Sequence, residues 1–452
     1  VPGSDAAVAR LSEALQFPTV SRTDRSEMDQ TVFAEFRRFL ERSFPGVHRM
    51  LEFEDVGDFG RIYRLNGATA AHEPVLFLAH YDVVPAGNDA AWTYPPFDGV
   101  VAGGFVWGRG ALDDKGMLMA LLEALERRLR TGFRPARSIY LAFGADEEVS
   151  GTFGAARIAR VFAERGITFE ATFDEGMVVS RNMLSFLEPP VALIGIAEKG
   201  YVDVRVRATG DGGHASMPPA ETAAARLAAG LLAATRRRGR DRLIPVVEQF
   251  FRSIADASPG LLAAVLRRPG LFAPVLTRVL SRGPTTAALV RTTVAPTMLA
   301  GSEAPNVLPP QTSAVLNCRI LPGQSVDGLV AELQTALDAV DGAGVAVELF
   351  DPPAASEPVD ASSTESVAYG WLETAIGDTF PEAVVAPFLV TGTTDSRHYR
   401  DVSRNIYRFV PVELDPAALA TIHAANERIP VDHYHRAIDY YERLLGLAGG
   451  DA

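Results

Sequence analysis

Apolar residues recur at helical spacing near the start of the chain. Val8, Leu11 and Leu15 mark one helix and Val32, Phe36 and Leu40 a second, within the first ~45 residues. The pattern then shortens. Residues 75–79 form a compact apolar run ending at His80, which reads as a buried strand. A loop rich in Gly and Pro follows, with Pro85, Pro95, Pro96, Gly103 and Gly104. Helical spacing returns over 116–130, after Asp113-Asp114-Lys115-Gly116. A strand over 138–143 runs into Asp146-Glu147-Glu148, a helix covers 152–165, and a strand over 171–173 leads into Asp174-Glu175-Gly176. Strands alternating with helices predict an α/β sheet with helices on both faces.

The pattern changes at Lys199. Residues 201–207 alternate strictly, as a half-exposed strand should. A helix over 221–235, strands over 292–300 and 312–320, a helix over 325–339 and a strand over 345–350 complete a β-α-β-β-α-β order. This order predicts a small α+β, ferredoxin-like unit inserted into the larger domain. An apolar, Arg-dotted helical stretch at about 240–290 interrupts it, with Phe250, Phe251, Leu261, Leu262, Leu271 and Phe272. The expected division is therefore 1–198 and 354–452 for the catalytic domain and 199–353 for the inserted lid.

Composition narrows the function classes. The 452 residues are 47% hydrophobic and 22% charged, which excludes a largely disordered chain. Lys+Arg total 43 against Asp+Glu 56, a net charge of -13, and this argues against a nucleic-acid partner. Only Lys115 and Lys199 are lysines; the other cations are arginines. A single cysteine, Cys318, excludes an intrachain disulfide and a thiolate metal site. No apolar run is long enough to span a membrane. The compartment stays open: cytoplasmic, or periplasmic or secreted if a leader was removed.

In α/β sheets, ligands bind beyond the carboxyl ends of the strands. His80, Asp146-Glu147-Glu148 and Asp174 each follow a strand-like run, so their polar groups are expected to gather at one edge. In His80-Tyr81-Asp82 the spacing suits a metal-binding His whose second ring nitrogen is held by a carboxylate. Asp113 and His423 add further N/O donors. Such a set suits Zn²⁺, or Mn²⁺ or Co²⁺ as substitutes. Taken singly, each motif reads equally well as a hydrogen-bonded loop or a solvated acidic turn.

Together they resemble the di-zinc metallopeptidase family of aminoacylase, carboxypeptidase S and glutamate carboxypeptidase. The resemblance rests on Leu78-Ala-His80-Tyr-Asp82-Val-Val-Pro85, Gly108-Arg-Gly-Ala-Leu-Asp113-Asp-Lys-Gly116, Asp146-Glu-Glu148, Asp174-Glu-Gly176, Gly213-His214-Ala-Ser216 and His423. The 240–290 stretch makes the carboxypeptidase-S-like and N-fatty-acyl-amino-acid hydrolase branch the nearest. The resemblance implies a mixed-sheet zinc-peptidase catalytic domain and two Zn²⁺. His80 and Asp174 would bind one, Glu148 and His423 the other, and Asp113 would bridge them. Glu147 would be the general base and acid, Asp82 would orient His80, and His214 would stabilise the oxyanion in its own or a neighbouring subunit. The Asp113–Asp114 peptide is expected to be cis. Arg319, Asn306, Gly392 and Thr393 match segments that bind a substrate carboxylate.

The implied activity is amide hydrolysis of N-acyl amino acids, or alternatively release of a C-terminal residue from short peptides. The partner is thus a small molecule or short peptide, and the chain a monomer or homodimer. The inserted stretch is expected to line a groove for a long acyl chain. The two surviving lysines are expected at positions that need a compact ammonium.

Overall fold

A computed structural model describes residues 5–182, 184, 186–236, 241–340 and 344–450. Its large sheet has eight strands. In spatial order they are Glu52–Val56, Gly60–Leu65, Ile139–Gly144, Val75–His80, Ala171–Ser180, Ile406–Leu414, Val191–Glu198 and Val384–Val390. Parallel and antiparallel pairings are mixed: Val75–His80 runs parallel to both neighbours, while the Glu52–Val56 and Gly60–Leu65 edge is antiparallel. The central strands are buried along their whole length, as both-sided helix cover requires.

The helix Lys115–Arg130 is buried on nearly every side, packed among the sheet, the N-terminal helix Ala6–Leu15 and the C-terminal helix Val431–Gly449. Its first turn sits unusually close to the preceding loop. A Cβ on Gly116 would stand 2.1 Å from the Ala111 oxygen, so only glycine fits there. Both lysines are buried. Lys115 Nζ donates to the carbonyls of Ala14 (3.4 Å) and Phe17 (2.5 Å), tying the N-terminal helix to the helix it begins. Lys199 Nζ donates to those of Ala288 (3.1 Å) and Arg291 (2.8 Å).

The smaller sheet orders Thr293–Ala300, Gln311–Ile320, Gly200–Thr209 and Val345–Leu349, all antiparallel. Gly200–Thr209 alternates between buried and half-buried positions until its last residue. Its inward residues Val202, Val204 and Val206 meet Leu227 of the helix Ala223–Arg236 and Leu329 and Leu333 of Val326–Asp338 in a core separate from that of the large sheet.

Two expectations change. Asp174-Glu175-Gly176 does not follow a strand; it lies inside the ten-residue strand Ala171–Ser180. The pairing slips there, with Arg408 opposite Asp174 but Val410 opposite Val178, and Gly176 takes φ 132°. This bulge is what lets acidic residues interrupt a central strand. The inserted stretch also lands elsewhere. Its helices Pro245–Ile254, Gly260–Leu266 and Ala273–Leu280 bury Val246, Val247, Phe250, Phe251 and Leu276 in the core of the large sheet, not that of the small one. Phe250 meets Phe388 edge-on, with ring centroids 5.1 Å apart. Residue 240, the expected start, lies outside the described residues.

Candidate active site

Two strand ends, one strand interior and two loops converge here. His80 closes the strand Val75–His80, with Nδ1 3.3 Å from Asp82 Oδ1 and Nε2 3.0 Å from Asp113 Oδ1. Asp82, fully buried, also accepts from the backbone N–H groups of Glu147 (3.1 Å) and Glu148 (3.2 Å). One carboxylate thus sets both the ring of His80 and the turn that presents Glu147. On the far side, His423 Nε2 stands 2.9 Å from Asp113 Oδ2 and 3.1 Å from Glu148 Oε2. His423 has φ 59°, a left-handed conformation that costs a non-glycine residue about 1 kcal/mol or more. The Asp113–Asp114 peptide is cis, as expected.

Two donor triads result: His80, Asp113 and Glu175, and Asp113, Glu148 and His423, each with ligand atoms within 4.8 Å of one another. Asp174 is in neither, against expectation. Successive side chains in a strand face opposite ways, and Asp174 turns to accept from the Ser396 N–H at 2.9 Å. Glu175, its neighbour in the bulge, takes the place beside His80.

The electrostatics suit a cation. Burial pushes the carboxyls of Glu147, Glu148 and Glu175 above their ordinary range, and neighbouring carboxylates add to the rise. Glu148 Oε1 is buried without a hydrogen-bond partner among the described residues. Burial also opposes the charge on Asp113, yet hydrogen bonds from His423 and His80 hold it well below the usual carboxylate range. Crowded carboxylates with two His and no thiolate are the donor set of a hard or borderline divalent ion.

A cleft of about 540 Å³ adjoins this centre, lined by Glu147, Glu148 and His423 and also by Arg319, Gly392 and Thr393. Arg319 lies over the Tyr201 ring at 4.6 Å and reaches Thr393 Oγ1 at 3.5 Å. Three of the four expected carboxylate-binding residues therefore face the same space as Glu147. Asn306 and His214 do not. His214 pairs with Val307 in the short pair Gly213–His214 and Val307–Leu308, Ala215 N donates to the backbone oxygen of Asn306 beside it, and both His214 and Asn306 are exposed and do not line the cleft. No described residue of the inserted stretch lines this cleft, so the expected acyl groove is not formed there.

Residues 76–446 match the profile of Peptidase family M20/M25/M40. The chain belongs to this family. This M20 chain is 35% identical over 440 residues to the N-fatty-acyl-amino acid synthase/hydrolase PM20D1 of Mus musculus, covering 95% of this chain and 85% of the relative. It is 30% identical over 494 residues to carboxypeptidase S of Saccharomyces cerevisiae, covering 98% and 84%. The M20 family metallo-carboxypeptidase Sso-CP2 from Sulfolobus solfataricus has the same fold, with a TM-score of 0.73 at 18% identity over 99% of this chain and 100% of that one. Membership makes the protein a metallohydrolase of amide or peptide bonds and implies a divalent metal, typically zinc, which the two triads fit.

The sequence motifs missed one organiser of the centre. Glu427, fully buried, accepts from the N–H groups of Gly110 (3.1 Å), Leu112 (2.9 Å) and Asp113 (3.2 Å), and Arg109 Nη1 pairs with it at 2.6 Å. It lies four residues after His423, so one turn positions the metal donor and the loop that carries Asp113. Its only signal was an acid beside a candidate His.

Proposed function

We propose that this M20 chain hydrolyses N-acyl amino acids to a carboxylic acid and a free amino acid. Two zinc ions would be held by His80, Asp113 and Glu175 and by Asp113, Glu148 and His423. When bound, they would supply Lewis acidity and make the attacking water's proton easier to remove. Glu147 takes that proton and later returns it to the leaving nitrogen, a role its place beside both triads allows. Asp82 fixes the His80 tautomer. Arg319 and Thr393 receive the α-carboxylate of the amino acid, for which a guanidinium fork is suited.

The observation that carries this reading is the cleft, which Glu147, Glu148 and His423 line together with Arg319 and Thr393. The mouse relative's name supports the acyl-amino-acid class. The yeast relative's name supports a second reading, release of a C-terminal residue, because a peptide presents the same carboxylate to Arg319. A panel of N-acyl amino acids against dipeptides separates the two by kcat/KM. The mechanism is tested by Glu147→Gln. That variant should keep its metal content and lose hydrolysis by roughly 10²–10⁴-fold; full activity would overturn the assignment.

His214 and Asn306 serve the site of a second copy in this reading. The strand Thr293–Ala300 is an unpaired edge, and its last residues, with Leu299 73% exposed, offer that copy a surface. The small sheet then acts as a lid whose partner completes the neighbouring cleft.

A further inference from the structure

The inserted helices bury one face and leave another bare. Gly260–Leu266 and the helical run Pro269–Leu280 meet at a bend of 100°. Leu266 and Leu276 point into the core. On the outside, Leu261 is 88% exposed, Leu271 72%, Val275 60% and Val279 55%. Val275 and Val279 are spaced i, i+4 on one face of the helix Ala273–Leu280, and Leu271 stands in the short 3-10 turn Pro269–Phe272 just before it. Contiguous apolar surface of this kind marks an interaction site rather than ordinary exposure.

Along the segment itself the charge has one sign, although Glu248 beside Gly270 and Asp241 on Ser281 approach it from neighbouring elements. From Ala257 to Ser302 the sequence contains no Asp or Glu, in a chain of net charge -13. Arg267, Arg268, Arg278 and Arg282 are exposed. Arg267 pairs with Asp256 at 2.8 Å, while Arg268, Arg278 and Arg282 have no carboxylate partner among the described residues. Arg278 lies one turn on from Val275 on the helix Ala273–Leu280, and Arg282 just past its C-terminal end.

We propose that this bent helical pair docks the protein on an anionic lipid surface. Leu261, Leu271, Val275 and Val279 would enter the boundary between headgroups and acyl chains, with the arginines reaching phosphate. Exposed apolar side chains on a segment whose own charges are all arginine suit an interfacial helix. The pair lies on the membrane and does not cross it. Its arms reach only about 10 and 18 Å, against roughly 30 Å of hydrocarbon, and the bend prevents their addition. Among the described residues, no single helix is long and apolar enough to span. Long-chain N-acyl amino acids partition into the same layer, so docking would bring that substrate class to the enzyme. This last clause rests on the proposed function; the docking itself does not.

Co-sedimentation with vesicles tests the proposal. The full chain should pellet with mixed phosphatidylglycerol and phosphatidylcholine vesicles, weakly with phosphatidylcholine alone, and less as salt rises. Leu271→Ser/Val275→Ser/Val279→Ser and Arg278→Glu/Arg282→Glu should each weaken partitioning by about tenfold or more. An unchanged melting profile and unchanged hydrolysis of a short-chain soluble substrate would show that these variants remain folded. A wild-type chain that stays in solution with anionic vesicles overturns the proposal. So does a serine variant that keeps vesicle binding, or one that instead falls from dimer to monomer in sedimentation velocity, which would assign these apolar residues to a second copy. Loss of vesicle binding alone leaves the amide-hydrolase reading untouched.

Discussion

Asp113 divides its two oxygens between two histidines, with Oδ1 3.0 Å from His80 Nε2 and Oδ2 2.9 Å from His423 Nε2. The histidines come from opposite ends of the chain, and one carboxylate holds them as a pair. Replacement by Asn keeps the shape but removes the charge both triads share. Asp113→Asn is therefore expected to lose both metals together, whereas His423→Ala should lose one first. Metal analysis after dialysis distinguishes joint from stepwise loss.

Glu175 and Asp174 give a sharper contrast because they are adjacent acids. Glu175→Gln should lower metal content and abolish hydrolysis. Asp174→Asn should retain the metals, since its oxygen meets the Ser396 N–H and not the triad. If Asp174→Asn loses a metal and Glu175→Gln does not, the donor assignment must be reversed.

That pair also shows where sequence legibility ended. His80, Asp113, Glu148 and His423 were named through the family resemblance, since singly their motifs also read as hydrogen-bonded loops or solvated acidic turns, and the structure brings their donor atoms together. In Asp174-Glu175 either acid can ligate, and a slip of one position reverses which face it meets. The bulge that decides it arises from the pairing with Ile406–Leu414, a strand more than two hundred residues away in the chain. The β-α-β-β-α-β unit was legible because its alternation and helical spacing are local. The seat of the 240–290 helices was not. Their apolar residues announce burial, but Phe388 and the rest of the large sheet supply the partner. Glu427 stayed hidden for a similar reason: its role lies in three backbone N–H groups of a distant loop.

Glu427 should matter to stability as well as to metal. Removing its charge leaves the buried Arg109 guanidinium unpaired, which typically costs about 3–5 kcal/mol. Disturbing a group that orients a metal donor costs about 10–100-fold in metal affinity. Glu427→Gln should therefore shift the denaturant midpoint downward and weaken metal retention together. A variant with wild-type stability would show that Arg109 finds another partner.

Lys199 predicts a pH dependence. Burial pulls its pKa from the usual lysine range to about 7, with Arg319 nearby adding to the fall. The unfolded chain keeps that proton up to about pH 10.4. Between about 7 and 10 the unfolded state thus binds more protons, and this group's contribution to stability rises with pH. Lys199→Met should flatten that rise in a melting series from pH 7 to 10. Lys199→Arg should lower the melting temperature throughout, because a guanidinium is larger than the space between the Ala288 and Arg291 carbonyls that a compact ammonium fills.

Catalysis is a property of two chains if His214 serves a second copy, as proposed. Its Nδ1 accepts from Ser216 N at 3.1 Å, which fixes the ring in an exposed hairpin outside the cleft of its own chain. His214→Ala should therefore keep metal content and lower kcat more than it raises KM, since an oxyanion donor acts in the transition state. Mixing decides the geometry. An inactive His214→Ala chain and an inactive Glu147→Gln chain, exchanged into heterodimers, leave one cleft with both an intact Glu147 and a partner's intact His214. Recovery of up to about one quarter of wild-type activity is expected: random exchange makes half the dimers mixed, and each has one of two clefts complete. No recovery, with exchange verified by sedimentation of tagged chains, would place His214 in the service of its own chain and require the hairpin to swing inward.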